Sequence, residues 1–265
     1  MPTASIQGSH FYFHESGHGV PLVLVHGFPL DHRVFHKQVH DLSPVARVIT
    51  PDLRGFGKST NIAPFSIASL ADDLYLLLSH LKALPCVLGG LSLGGYVALA
   101  YERKYANTLR GLMLLDTRAA NDSPEAKAGR DAMIELAKSA GASAVAEKML
   151  PKLLADGNIP GAAPEVVSEL KSIMESCPAL TIQHALAAMR DRADYRPTLD
   201  RIAAPTLIIA GQADVLVPPA QSEEMHKSIR GSTLALIPGA GHMAPLEQPH
   251  AVSRAIKQFL ATLGS

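Results

Sequence analysis

The segment Gly89-Gly90-Leu91-Ser92-Leu93-Gly94-Gly95 decides the fold. Its centre, Gly90-Leu91-Ser92-Leu93-Gly94, matches G-x-S-x-G. An apolar run over 85–90 precedes the serine, and an alanine-rich helical pattern over 93–105 follows it. A serine between two such elements must sit on a tight strand-to-helix turn, and flanking glycines let strand and helix approach closely. A serine hydroxyl is a weak nucleophile until a base takes its proton, and that base works best when a carboxylate fixes its tautomer. Asp214 and then His242 follow in the chain, each just beyond a predicted strand.

Outward from the serine, short apolar runs alternate with longer helical patterns. Strands are predicted at 11–15, 22–26, 47–50, 86–90, 111–115, 206–210 and 233–237, the first of them antiparallel at an edge. This rhythm implies a mostly parallel central sheet flanked by helices, an α/β class. Ile67, Leu70, Leu74, Leu77, Leu78 and Leu81 share a helical face, with Ser66 as N-cap. Val252, Ile256, Phe259, Leu260 and Leu263 mark a final amphipathic helix.

The alternation stops at Asp116 and resumes at Pro205. In between, Met133, Leu136, Ala137 and Ala140 recur at helical spacing, as do Leu170, Ile173, Met174 and Cys177. Pro124, Pro151, Pro160, Pro164, Pro178 and Pro197 divide the stretch into several short helices. The expected organisation is a core of residues 1–118 and 197–265, with a helical cap insert over 119–196. That insert should fold over the C-terminal ends of the strands, where α/β ligand sites form.

Composition excludes several classes. Of the 265 residues, 47% are hydrophobic and 18% charged, enough for one sizeable core. Basic and acidic residues balance at 24 each, so no charge excess points to nucleic acid or an anionic membrane. Two cysteines, Cys86 and Cys177, exclude a disulfide framework, and Cys86 lies in an apolar run that suits a buried thiol. No run approaches the roughly 18 apolar residues of a membrane span. The first eight residues lack the pattern of a signal peptide. The expectation is a soluble, cytoplasmic protein.

The remaining candidates lie in loops. His26-Gly27-Phe28-Pro29 follows a strand, and an oxyanion needs backbone N–H donors already aimed at it. Phe28 and Leu93 can supply them. Pro29 cannot donate, but it stiffens the loop. His26 reads as a brace for that loop rather than a proton carrier. Asp214, in Gly211-Gln212-Ala213-Asp214, is favoured as the acid over Asp116, which also ends a strand. His242, in Gly239-Ala240-Gly241-His242-Met243, is the base. Phe28, Leu93, Val217 and Met243 should lie near a mostly apolar substrate pocket, Pro29 beside them, and His184 of the insert is a further pocket candidate. Asp52-Leu53-Arg54-Gly55-Phe56-Gly57-Lys58-Ser59 matches no phosphate-binding motif and reads as a structural loop, with Asp52 and Arg54 tied into hydrogen bonds.

The pieces HGFPLD, DLRGFGKS, GGLSLGG, GQADVLVP and GAGHMAPLEQP together resemble the α/β-hydrolase superfamily, in particular its compact bacterial esterase and lactonase branch. The resemblance implies Ser92 as nucleophile, His242 as base, Asp214 as acid, Phe28 and Leu93 as oxyanion hole, and a cap made by the insert. LLDTRAAND and the pattern of the insert look similar to enol-lactone hydrolases of aromatic catabolism, the 3-oxoadipate enol-lactonase type. Relatives with an aspartate nucleophile are disfavoured by Ser92, and the chain has no tryptophan for a halide site. Phe35 stands where many members carry tryptophan. The expected activity is hydrolysis of small carboxylic esters or lactones through an acyl-enzyme, with no metal or organic cofactor. Two alternatives are perhydrolysis, with peroxide replacing water as in non-haem haloperoxidases, and a non-catalytic ligand receptor, against which an intact triad speaks.

Overall fold

The computed structural model describes residues 3–6, 8–155 and 164–264. Pro160, expected to break a helix, lies outside the described residues. Eight strands form one sheet in the order β1-β2-β4-β3-β5-β6-β7-β8. They are β1 Thr3–Ile6, β2 Ser9–Ser16, β3 Pro21–Val25, β4 Arg47–Pro51, β5 Cys86–Leu91, β6 Leu109–Leu115, β7 Thr206–Gly211 and β8 Thr233–Ile237. From β4 to β8 every neighbouring pair is parallel. The helices are α1 His36–Leu42, α2 Ile67–His80, α3 Leu93–Tyr105, α4 Pro124–Met149, α5 Pro164–Glu175, α6 Ala179–Arg190, α7 Pro219–Ser228, α8 Ala244–Glu247 and α9 Pro249–Thr262.

All seven predicted strands are present, and one more was not anticipated. β1 pairs antiparallel with β2 and takes the edge, so the strand predicted at 11–15 is an inner one. Thr-Ala-Ser-Ile is four residues long and buries only Ala4, too weak an alternation to read as a strand. β1 and β2 apart, the sheet is parallel, and its strands other than the edge strand β8 are buried on both faces, which is why they read as continuous apolar runs. Along β3 the faces separate cleanly. Val23 and Val25 join one core with α2 and α3, while Leu22 and Leu24 join the other with α1 and α9. β5 is central to both cores, with Leu88 on one side and Val87 and Leu91 on the other.

Helix boundaries follow local chemistry. Ser66 caps α2 and exchanges hydrogen bonds with Ser69 in a reciprocal capping box. Between β6 and β7 the chain is helical, and the prolines there mark starts more than breaks. Pro124 opens α4, Pro164 opens α5 and Pro178 precedes α6. α4 is not divided by proline. It bends at Gly141, whose φ of +77° a residue with a side chain rarely adopts. Cys177, expected on the face of Leu170 and Met174, lies just past the end of α5. Burial pushes the Cys86 thiol up to about 12, so it stays protonated and unreactive at neutral pH.

Leu88 is fully buried in the strand that leads to Ser92. Leu88→Ala should lower unfolding free energy by about 2–5 kcal/mol, measured by urea denaturation. A loss below about 1 kcal/mol would show that β5 is not the packing centre described.

Candidate active site

Parallel order brings the C-terminal ends of β3, β5, β6, β7 and β8 to one edge of the sheet, and five loops meet there. Ser92 sits between β5 and α3 with φ +52° and ψ −108°, a strained conformation for a residue with a side chain. Close packing enforces it. A Cβ on Gly90 would collide with the backbone of Gly94, and one on Gly94 would collide with the carbonyl of Val25 in β3. The backbone groups of Ser92 are tied down by the end of β6. Its N–H donates to the Leu115 carbonyl at 2.9 Å, and the Thr117 hydroxyl donates to the Ser92 carbonyl at 2.8 Å.

Asp214 and His242 follow β7 and β8. His242 Nδ1 lies 2.7 Å from Asp214 Oδ2, and both side chains are buried. The other Asp214 oxygen accepts the N–H groups of Leu216 and Val217 at 2.8 and 2.9 Å. Two donors therefore fix the carboxylate while the third partner is the imidazole. Ser92 and His242 line one cavity, and His242 Nε2 makes no hydrogen bond among the described residues. An imidazole held this way can accept a proton at Nε2 and be stabilised as imidazolium by the carboxylate behind it.

The loop after β3 lies against Ser92. A Cβ on Gly27 would be 3.4 Å from Ser92 Cβ. The Phe28 N–H makes no hydrogen bond among the described residues, and Leu93 opens α3, where first-turn N–H groups have no intrahelical acceptor. The Phe28–Pro29 peptide is cis. His26 is fully buried at the base of the loop. Its Nδ1–H donates to the Gly27 carbonyl at 2.8 Å, and its Nε2 accepts the Leu53 N–H at 3.1 Å. Burial lowers its pKa, outweighing the Asp52 carboxylate, so the ring is neutral and braces two loops. Arg54 bonds Asp73 of α2, and Asp52 accepts from the His32 backbone, the His32 ring and the Lys58 backbone. Asp31, His32 and Asp52 bring ligand atoms within 4.8 Å of one another, but Asp31 is engaged by Arg33 and Asp52 by these donors.

The cavity, about 470 Å³, is lined by Phe28, Val217 and Leu216 on the sheet side and by Met133, Met149, Leu186 and Met189 of the insert, among others. Pro29, Leu93 and Met243 do not line it with their side chains, and neither does His184, which packs edge-on to Phe65 with ring centroids 6.2 Å apart. Three further roles had no sequence signal. Glu247 accepts the N–H of Gly241 and of Ala155, pinning the His242 loop to the insert. Tyr96 lines the cavity. Arg118 and Arg130 line it too, both bonded to Asp122, which Arg192 also contacts. Burial pushes the Asp122 carboxyl up, but Arg130 and Arg192 outweigh it and hold it below the usual range.

Asp116 does not reach His242. Its Oδ1 accepts the Gly211 N–H at 2.7 Å, and its Oδ2 is buried without a partner among the described residues. Burial raises its carboxyl well above the ordinary value, helped by the nearby Asp214 and opposed by the Gly211 N–H.

This fold and edge define an α/β hydrolase. The chain belongs to the alpha/beta hydrolase fold family, whose model matches residues 20–249. It is similar to a thermophilic esterase from Thermogutta terrifontis solved with malate bound, at 40% identity and a TM-score of 0.94, covering 99% of this chain and 97% of that one. The enol-lactonase from Burkholderia xenovorans LB400 superposes with a TM-score of 0.89 at 26% identity, over 98% of this chain and all of that one. Pimeloyl-[acyl-carrier protein] methyl ester esterase of Neisseria meningitidis is 28% identical over 243 residues, 89% of this chain and 91% of that protein.

A carboxyl whose folded pKa is raised contributes most below its unfolded pKa, and the contribution is lost as pH rises through the folded value. Asp116→Asn removes that titration. The variant's Tm should gain on the wild type as pH rises from about 4 toward neutrality. Parallel Tm curves over this window would show that Asp116 titrates as an ordinary carboxylate.

Proposed function

We propose that the protein hydrolyses small carboxylic esters or lactones, with Ser92 as nucleophile, His242 as general base and Asp214 as the acid that orients it. The observation that carries this reading is the 2.7 Å contact between His242 and Asp214, with the same imidazole facing the cavity that Ser92 lines. Ser92 Oγ attacks the substrate carbonyl as its proton passes to His242 Nε2. The N–H groups of Phe28 and Leu93 hold the resulting oxyanion. The imidazolium then gives its proton to the leaving alkoxide, and the acyl group remains on Ser92. Water, deprotonated by the same nitrogen, attacks the acyl-enzyme and releases the acid. No cofactor takes part in these steps.

The esterase and enol-lactonase relatives support an ester or lactone carbonyl as the reacting group. The two substrate types share the chemistry and differ in whether the alcohol leaves or stays attached. A panel of p-nitrophenyl esters from acetate to decanoate, run beside several lactones, separates them by kcat/KM. Ser92→Ala should lower kcat by about 10⁴–10⁶ on the preferred substrate. Turnover equal to the wild type would remove Ser92 from the mechanism. Asp214→Asn should lower kcat by about 10⁴ with little change in KM, because the wrong tautomer of His242 is then favoured. A variant in which KM alone changes would make Asp214 a binding residue instead.

A further inference from the structure

Resting on that reading, we propose that the cavity beside Ser92 takes an ester whose acyl or alkoxy arm ends in a carboxylate, held by Arg118 and Arg130. The cavity wall carries Arg118, Arg130, Lys148 and Lys152, and among the described residues no acidic side chain lines it. Behind the arginines of this wall lies Asp122, whose side chain is fully buried. Three guanidiniums converge on Asp122. Arg118 Nη2 lies at 2.8 Å, Arg192 Nη1 at 2.7 Å and Arg130 Nε at 3.0 Å. Among the described residues Asp122 is the one carboxylate within ion-pair distance of these three guanidiniums, so positive charge is in local excess beside the cavity.

The three arginines are not equivalent. Arg192 is itself fully buried, donates to the carbonyls of Met189 and Ala120, and lies over the Tyr96 ring at 4.2 Å. Both of its terminal nitrogens are spent on structure, its Nε is buried without an acceptor among the described residues, and it does not line the cavity. Arg118 and Arg130 line the cavity and are each about a quarter exposed. Among the described residues, Arg118 uses only Nη2 and leaves Nε buried without an acceptor, and Arg130 uses only Nε. A buried donor without a partner is costly, and a planar fork of spare N–H groups matches a carboxylate in shape and charge. The ligand's carboxylate would satisfy both the donors and the excess charge, while its methylene chain would lie against Met133, Met149 and Met189. Exposed Lys148 and Lys152 add positive charge at the edge.

Two matched ester pairs test this on the full chain, each pair differing only in a terminal carboxylate. Monomethyl adipate is compared with methyl hexanoate, and 6-acetoxyhexanoate with hexyl acetate. In at least one pair the charged ester should have the higher kcat/KM by about tenfold or more, the size of a charge-assisted hydrogen bond. Arg118→Gln and Arg130→Gln should each cut that ratio about tenfold, mainly through KM. Lys138→Gln, the same charge change at an exposed site on α4, should leave the ratio as it is. Ratios at or below one in both pairs, or a ratio that neither arginine substitution moves, overturn the subsite. If the arginine variants do not fold, calorimetric titration of the Ser92→Ala chain with adipate decides. Binding that weakens about tenfold as salt rises supports it, and no binding at millimolar adipate overturns it. Neutral-ester hydrolysis that depends on Ser92 but shows no charged preference removes the subsite and leaves the hydrolase reading. Adipate binding without Ser92-dependent turnover removes the hydrolase reading instead.

Discussion

The structure depends on one backbone constraint, the left-handed turn at Ser92. Its φ of +52° stands where β5, α3 and β3 approach closely, and strain of this kind persists only where the surrounding packing holds it. Gly90 and Gly94 are required by that approach, since a methyl group on either would meet main chain. The gain is position. A side chain on a sharp turn between a buried strand and a buried helix projects from the edge of the sheet with little freedom. Hydrogen bonds from Ser92 to Leu115 and from Thr117 to Ser92 then tie that turn to the next strand.

Around this turn the sheet edge treats its two aspartates differently. Asp214 follows β7 on a loop that supplies two N–H donors to one oxygen, leaving the other for His242. Asp116 ends β6 deeper in the protein, with one N–H donor and a bare second oxygen. Both are buried, so the local hydrogen-bond donors decide how each carboxyl is oriented and which one meets an imidazole. His26 shows the same logic in a neutral group. One donor and one acceptor, each satisfied by main chain, make it a brace and keep it out of proton transfer.

This explains how far the chain could be read unaided. The strands were legible because a parallel sheet buried on both faces leaves uninterrupted apolar runs. Ser92, Asp214 and His242 stood out as candidates because each loop joins such a run to a glycine-rich turn. β1 was hidden by its length, and His184 was a pocket candidate only through its place in the insert, which does not tell which neighbour a side chain meets. Glu247 was invisible for another reason. Its partners, Gly241 and Ala155, are backbone groups, one of them 92 residues away, and backbone donors leave no mark in a sequence. Arg118 and Asp122 stand in the quoted LLDTRAAND, yet nothing local says that Arg130 and Arg192 will join them.

That arginine cluster also bears on how sheet and insert divide the work. Arg118 and Asp122 belong to the segment leaving β6, Arg130 to the first half of α4, and Arg192 to the turn after α6. The ion cluster therefore fastens the insert to the sheet edge at both of its ends. Its interior member, Arg192, also stacks on Tyr96 of α3, one turn beyond Ser92. Under the proposed subsite, fastening and recognition use the same groups. Neutralising Asp122 would leave three guanidiniums in mutual repulsion at the joint, whereas an anion arriving in the cavity would complete the balance that Asp122 begins.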